Sequence, residues 1–164
     1  MPRLLVVHHS PTASVRALTE QVLAGAQDDA IEGVQVVVRP ALEASADDVL
    51  EADGYLLGTP ANFGYMSGAL KHFFDSTFLA VGSSLSSTGA PDESEGVTSR
   101  RPFGLYVHGR YDTVGAVRSV MSIVGALGWR QAAGVVDVLG DVEPSHLEAA
   151  YDLGGTLAAL LAES

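Results

Sequence analysis

Five short apolar runs, the second of them strongly β-branched, are separated by helix-like stretches and constrain this chain more than any other feature. They are Leu4 to Val7, Val34 to Val38, Tyr55 to Leu57, Phe103 to Val107 and Val135 to Val138. Polar residues hardly interrupt them, as expected of strands covered on both faces. Between the runs, apolar residues recur at helical spacing. After Ser14 the stripe is Val15, Leu18, Val22, Leu23 and Ala26. Met66 to Ala80 carries Met66, Leu70, Phe73, Phe74 and Phe78. Val114, Val117, Met121, Val124 and Leu127 precede Gly128, a helix-ending residue. The last stripe is Leu147, Ala150, Tyr151, Leu157 and Leu161. Gly154 and Gly155 inside it are costly for a helix and point to close packing against a neighbour. The second crossover, 41–52, has room only for a short or irregular helix. This alternation predicts an α/β fold, a parallel sheet with helices on both faces.

Composition narrows the function classes. The chain has 164 residues, 47% apolar and 18% charged, which is the make-up of a folded protein. That length predicts one domain over 1–164. A net charge of −11 argues against a nucleic-acid partner, since phosphates would be repelled. With no cysteine there is no disulfide framework, thiolate metal site or thiol nucleophile. The four apolar residues after Met-Pro-Arg are too few for a signal-peptide core. No stretch approaches the roughly 20 apolar residues of a membrane span. The expectation is a cytoplasmic protein without a membrane partner. Residues 82–101 are polar and rich in Ser and Gly, and read as a flexible loop insertion, with a lid or oligomer contact as the alternative. Eight acids between Asp28 and Asp53 face one base, Arg39. They read as a solvated face or as a docking edge for a basic redox partner.

The first strand runs into His8-His9-Ser10-Pro11-Thr12-Ala13-Ser14-Val15. This is the carboxyl end of a buried strand, where open α/β sheets bind ligands. A helix N-terminus presents unpaired N–H groups and the positive end of a dipole to an anion. Ser10, Thr12 and Ser14 add hydroxyls. Equally, Thr12 or Ser14 serves as an ordinary N-cap. His8 and His9 leave the strand in opposite directions, so no metal site is expected there.

The third run leads into Gly58-Thr59-Pro60-Ala61-Asn62-Phe63-Gly64-Tyr65-Met66-Ser67-Gly68-Ala69-Leu70-Lys71-His72-Phe73-Phe74-Asp75-Ser76-Thr77. Pro60 and Gly64 suit a tight loop, Phe63 and Tyr65 offer flat faces, and the amides of 62–66 are expected to point outward. Together they suit a planar heterocycle with polar edges. This run resembles the flavodoxin-like FMN proteins, nearest to NAD(P)H-dependent FMN reductases and quinone reductases of the tryptophan-repressor-binding-protein type. Their pattern Gly-Thr-Pro-x-x-Phe-Gly-x-Met-Ser-Gly-x-x-Lys-x-Phe-x-Asp-x-Thr is present at every fixed position. The first loop departs from flavodoxin phosphate loops of the form Thr/Ser-x-Thr-Gly-x-Thr, with Ala13 for the Gly and Val15 for the last hydroxyl.

The resemblance implies a doubly wound five-stranded sheet in the order 2-1-3-4-5. It implies FMN, with the phosphate at Ser10, Thr12, Ala13, Ser14 and Val15 and the ring edge at Pro60, Ala61, Asn62, Phe63, Gly64 and Tyr65. The loop after the fourth strand, His108-Gly109-Arg110-Tyr111-Asp112, would flank the flavin. Tyr111 and His108 are candidates for substrate contact or proton supply. Arg110 either favours anionic flavin or a dinucleotide phosphate, or pairs with Asp112 or another acid. The implied activity is an NAD(P)H-dependent oxidoreductase delivering electrons to a quinone or free flavin, and the implied assembly is a homo-oligomer. A flavodoxin-type one-electron carrier serving a redox protein, and a non-redox ligand-binding domain on the same fold, are the rival readings. Lys71, the sole lysine, is expected on a solvated helix face or in a local ion pair.

Overall fold

The computed structural model describes residues 1–81 and 96–164. Its elements follow in the order β1 (Arg3–His8), α1 (Ala13–Ala26), β2 (Gln35–Pro40), α2 (Ala46–Glu51), β3 (Gly54–Asn62), β4 (Tyr65–Met66), α3 (Gly68–Val81), β5 (Pro102–Gly109), α4 (Val114–Leu127), β6 (Arg130–Gln131), β7 (Val136–Leu139) and α5 (Pro144–Ala162). The main sheet is parallel and runs β2-β1-β3-β5. Beyond β5, β6 pairs with Pro102 and Phe103, and β7 pairs with Tyr106 to Gly109. These two pieces line one flank of β5 in succession, so together they occupy the place of the fifth strand. The expected 2-1-3-4-5 order is therefore present, but with seven strands among the described residues rather than five.

Side chains alternate faces along each strand, and the two cores follow from that period. Leu5, Val7, Tyr55, Leu57, Phe103, Leu105 and Val107 share one core with α3 and α4 residues such as Leu70, Phe73, Phe74, Val120 and Val124. Leu4, Val6, Leu56, Tyr106 and Val138 face the other way, onto Val15, Leu18 and Val22 of α1 and Leu153 and Leu157 of α5. Each such side chain contributes about 1.5–3 kcal/mol on burial. The runs lacked polar alternation because both faces of the sheet are covered.

Several boundaries move. The first helix begins at Ala13, and of the two N-caps read from the sequence, Thr12 and Ser14, it uses Thr12. The third begins at Gly68, not Met66. Met66 lies in β4, an antiparallel partner of the end of β3. The third strand extends to Asn62, well past Leu57. The fifth runs Val136–Leu139 and is preceded by the short β6. The second crossover holds one short helix, α2, closed by a capping box in which Ser45 and Asp48 bond each other's amides. Gly128 ends α4 with φ of 74°, as expected.

The glycine pair in α5 explains the closeness of α1 and α5. A methyl group on Gly154 would run into the Val22 carbonyl, and one on Gly25 into the Tyr151 carbonyl. Backbone therefore meets backbone at this crossing. The Tyr151 hydroxyl also donates to the Asp28 carboxylate at the same junction.

Of the polar stretch 82–101, the part 82–95 lies outside the described residues. The remainder is tied down. Thr98 is fully buried and accepts the Trp129 indole N–H at 2.9 Å. Trp129 stacks on Tyr55 with ring centroids 3.8 Å apart. Arg101 donates to the carbonyls of Val49, Leu50 and Ala52 at the end of α2, satisfying acceptors that a helix leaves open.

A Gly154→Ala substitution is expected to destabilise the protein by about 1–3 kcal/mol through overpacking against α1. Gly125→Ala in α4, where an added methyl meets nothing within 4 Å, is expected to be neutral or stabilising by up to about 1 kcal/mol. Urea unfolding midpoints of the two variants check the contrast.

Candidate functional site

The carboxyl ends of β1, β3 and β5 open on one side of the sheet, and a crevice of about 500 Å³ lies there. Its walls are Thr12 from the first loop, Pro60 to Gly64 from the second, and His108 to Asp112 from the third. That size is in the range of small-molecule sites. The three loops named from sequence thus converge.

The second loop is a β-hairpin. Asn62 pairs with Tyr65 and Ala61 with Met66, leaving Phe63 and Gly64 as a two-residue turn. Both have positive φ, 51° and 74°, as a type I′ turn requires. Glycine takes this conformation freely, whereas phenylalanine does not. The strained residue stands with its ring fully exposed. Pairing takes up part of the main chain of 62–66, so the amides expected to be free there are fewer than the sequence suggested. Tyr65 is on β4, half exposed and outside the crevice wall.

Most of the motif that carried the resemblance supports this hairpin from behind. Thr59 is buried; its hydroxyl donates to the Pro60 carbonyl at 2.8 Å and accepts the Ser67 amide at 2.9 Å. Ser67 in turn accepts the Leu70 amide at the start of α3. Gly58 leaves room for the Tyr106 ring, and Gly115 lets α4 begin against the Gly64 carbonyl. Lys71 pairs with Asp75 one turn on, at 2.5 Å, the local ion pair expected of it.

In the first loop, Thr12 accepts the Val15 amide at 3.3 Å and caps α1. The amides of Ala13 and Ser14 fall in the first turn, where a helix offers no carbonyl partner. Val15 brings nothing to the crevice, since its side chain is in the core and its amide is spent on Thr12. The Ser10 hydroxyl turns away from the loop's outer side, bonding His8 Nδ1 and the Thr19 hydroxyl at 2.8 Å each. Ser10, Ala13 and Ser14 lie outside the crevice wall. Arg16, which the sequence reading passed over, donates to the Pro11 carbonyl at 3.1 Å. The signal was a cation in the first turn of a helix, where the dipole opposes it.

In the third loop, His108 is buried and its Nε2 bonds the Gly140 carbonyl at 2.7 Å. Arg110 pairs with Asp141 at 2.6 Å rather than with Asp112. Asp112 instead accepts the Val114 amide at 2.9 Å and caps α4, while Thr113 makes no side-chain cap. Tyr111 stands almost wholly exposed opposite Phe63's loop. Among the described residues there is no group of His, Cys, Asp and Glu that could hold a metal ion, and no helix long and apolar enough to cross a membrane.

Residues 8–138 match the family described as NADPH-dependent FMN reductase. A flavodoxin of Aquifex aeolicus is 37% identical over 46% of this chain and 40% of its own. An NAD(P)H dehydrogenase (quinone) of Acidithiobacillus ferrooxidans is 33% identical over 47% of this chain and 48% of its own. The matches therefore span less than half the length of these curated relatives. Among solved structures, a flavodoxin from the domain Archaea superposes with a TM-score of 0.75 at 16% identity, covering 99% of both chains. A WrbA-like flavodoxin from Agrobacterium tumefaciens gives 0.72 at 17% identity, again over 99% of both. The fold is flavodoxin-like.

Burial, and next the charge of His9, hold the His8 ring below its ordinary pKa of 6.5. The unfolded chain therefore takes up this proton at a higher pH than the folded one. Stability is unaffected well above 6.5 and falls as pH drops through that value toward the folded one. Melting temperatures between about pH 7.5 and 5 should fall less steeply in His8→Asn than in the parent protein.

Proposed function

The chain belongs to the NADPH-dependent FMN reductase family, and on that premise we propose that the crevice holds FMN in a flavoprotein oxidoreductase that takes electrons from NAD(P)H and passes them to a quinone or free flavin. The observation that carries the reading is the crevice itself. A strained turn and a polar loop put two exposed aromatic rings, Phe63 and Tyr111, on its walls, and the first turn of α1 begins beside it.

The residues fit the group. The FMN phosphate would take the Thr12–Ser14 turn, with the Ala13 and Ser14 amides as donors and Arg16 as the nearby cation. The ring would take the edges of 60–64 and 108–112, which line the crevice. When bound, FMN supplies the hydride and electron chemistry. The protein's part is to bind and orient. His108 has its Nε2 tied to the Gly140 carbonyl, so it holds the β5 end against β7. Arg110 keeps its charge at the rim through Asp141.

Titration of the purified protein with FMN, followed by absorption, is expected to show saturable binding. Phe63→Ala should weaken it about three- to ten-fold, the worth of one aromatic contact. Absence of binding would overturn the reading and favour a non-redox ligand for the crevice.

One observation favours a second reading. The chain carries a net charge of −11, and its acids gather over 28–53. Arg3 and Arg39 pair with Glu51 and Asp48, leaving most of that edge negative. A one-electron carrier would use such a face to meet a basic redox protein, with association slowing as salt rises. NAD(P)H consumption in the presence of a quinone supports the reductase. Its absence, with FMN bound, supports the carrier.

A further inference from the structure

Beneath α1 the fully buried Tyr106 hydroxyl meets the Thr19 hydroxyl at 2.7 Å. Thr19 meets Ser10 at 2.8 Å, and Ser10 meets His8 Nδ1 at 2.8 Å. The four side chains come from β5, α1, the first loop and β1. They form one continuous line from the core to the loop beside the crevice. None of the four belongs to the crevice wall.

The line has a direction. Thr19 is the hydrogen-bond partner of the Tyr106 hydroxyl, and burial denies it water. A buried phenol proton needs an acceptor, so Tyr106 donates to Thr19. Thr19, accepting from Tyr106, donates to Ser10. Ser10 then donates to His8 Nδ1, which accepts only when the ring is neutral with its proton on Nε2. The opposite direction would strand the Tyr106 proton in the core.

We propose that Tyr106 is a positioning residue for the anion-binding loop: its proton sets the direction of three consecutive hydrogen bonds, turns Ser10 inward as the loop's anchor, and fixes His8 in the Nε2-protonated form. Ser10 thus spends its proton on the protein and not on a ligand, and the loop presents backbone amides instead. The effect on ligand affinity rests on the reading of the crevice as an FMN site; the effect on His8 does not.

Two measurements test it on the full chain. The first compares affinities for FMN and for riboflavin, which lacks the phosphate. Tyr106→Phe and Thr19→Val are expected to lower the FMN-to-riboflavin ratio about five-fold, the worth of one hydrogen bond. Thr19→Ser, which keeps the hydroxyl, is expected to hold the ratio of the parent. General loosening of the fold would weaken both flavins alike and leave the ratio unchanged. The second reads the His8 ring nitrogens by nitrogen-15 NMR above pH 7 without ligand. The parent is expected to show the Nε2-protonated tautomer, and Tyr106→Phe a mixture. If the parent binds neither flavin, the site reading fails while the tautomer still reports on the relay. A His8 protonated on Nδ1 in the parent overturns the proposal. So does an unchanged ratio in both variants of a parent that binds FMN.

Discussion

Thr59 lies buried toward the carboxyl end of the central strand, and its hydroxyl joins the Pro60 carbonyl to the Ser67 amide. That pair of bonds closes the base of the 60–66 hairpin. Above that base the Ala61–Met66 and Asn62–Tyr65 pairs leave two residues for the reversal, and both take positive φ. The exposed ring of Phe63 and the crevice wall follow from that reversal. So does the start of α3, because Ser67, held by Thr59, caps it. Loss of this hydroxyl would leave the Ser67 amide buried without a partner, a cost of about 1–3 kcal/mol before any change at the crevice.

The sequence made the sheet legible because burial on both faces removes ambiguity. Leu4 to Val7 or Phe103 to Val107 can hardly be anything but an inner strand. The glycines of α5 were legible too, since a helix tolerates such a pair only where something touches it. What escaped were features set by the neighbours of a segment and not by its own pattern. Met66 has the spacing of the helix that follows, yet the turn ahead of it draws it into β4. Arg130 and Gln131 carry no strand signal; they pair because Trp129, stacked on Tyr55, delivers them to the start of β5.

The site divides in the same way. The convergence of the three loops was readable from topology alone, since strand ends on one edge must lie together. The assignment of individual donors was not. Three hydroxyls in one loop look equivalent in sequence. In the structure Thr12 caps the helix, whereas Ser10 bonds His8 and Thr19, and Thr19 in turn bonds Tyr106. Most fixed positions of the 58–77 motif proved to be scaffolding: Gly58 makes room for Tyr106, Ser67 caps, and Phe73 fills the core. A motif can mark a family while few of its residues line the crevice that the fold opens.

The fifth strand is broken into pieces of two and four residues, and the opposite border of the sheet ends in Arg39 and Pro40. A foreign strand laid along either margin would find an interrupted row of hydrogen-bonding groups on one side and, on the other, a charged side chain followed by a residue with no amide proton to give. Open parallel sheets are prone to grow by accretion from their borders, and these borders are poor templates for it. Any assembly of this protein is thereby steered toward contacts between helices and loops, which leaves the sheet itself a closed unit.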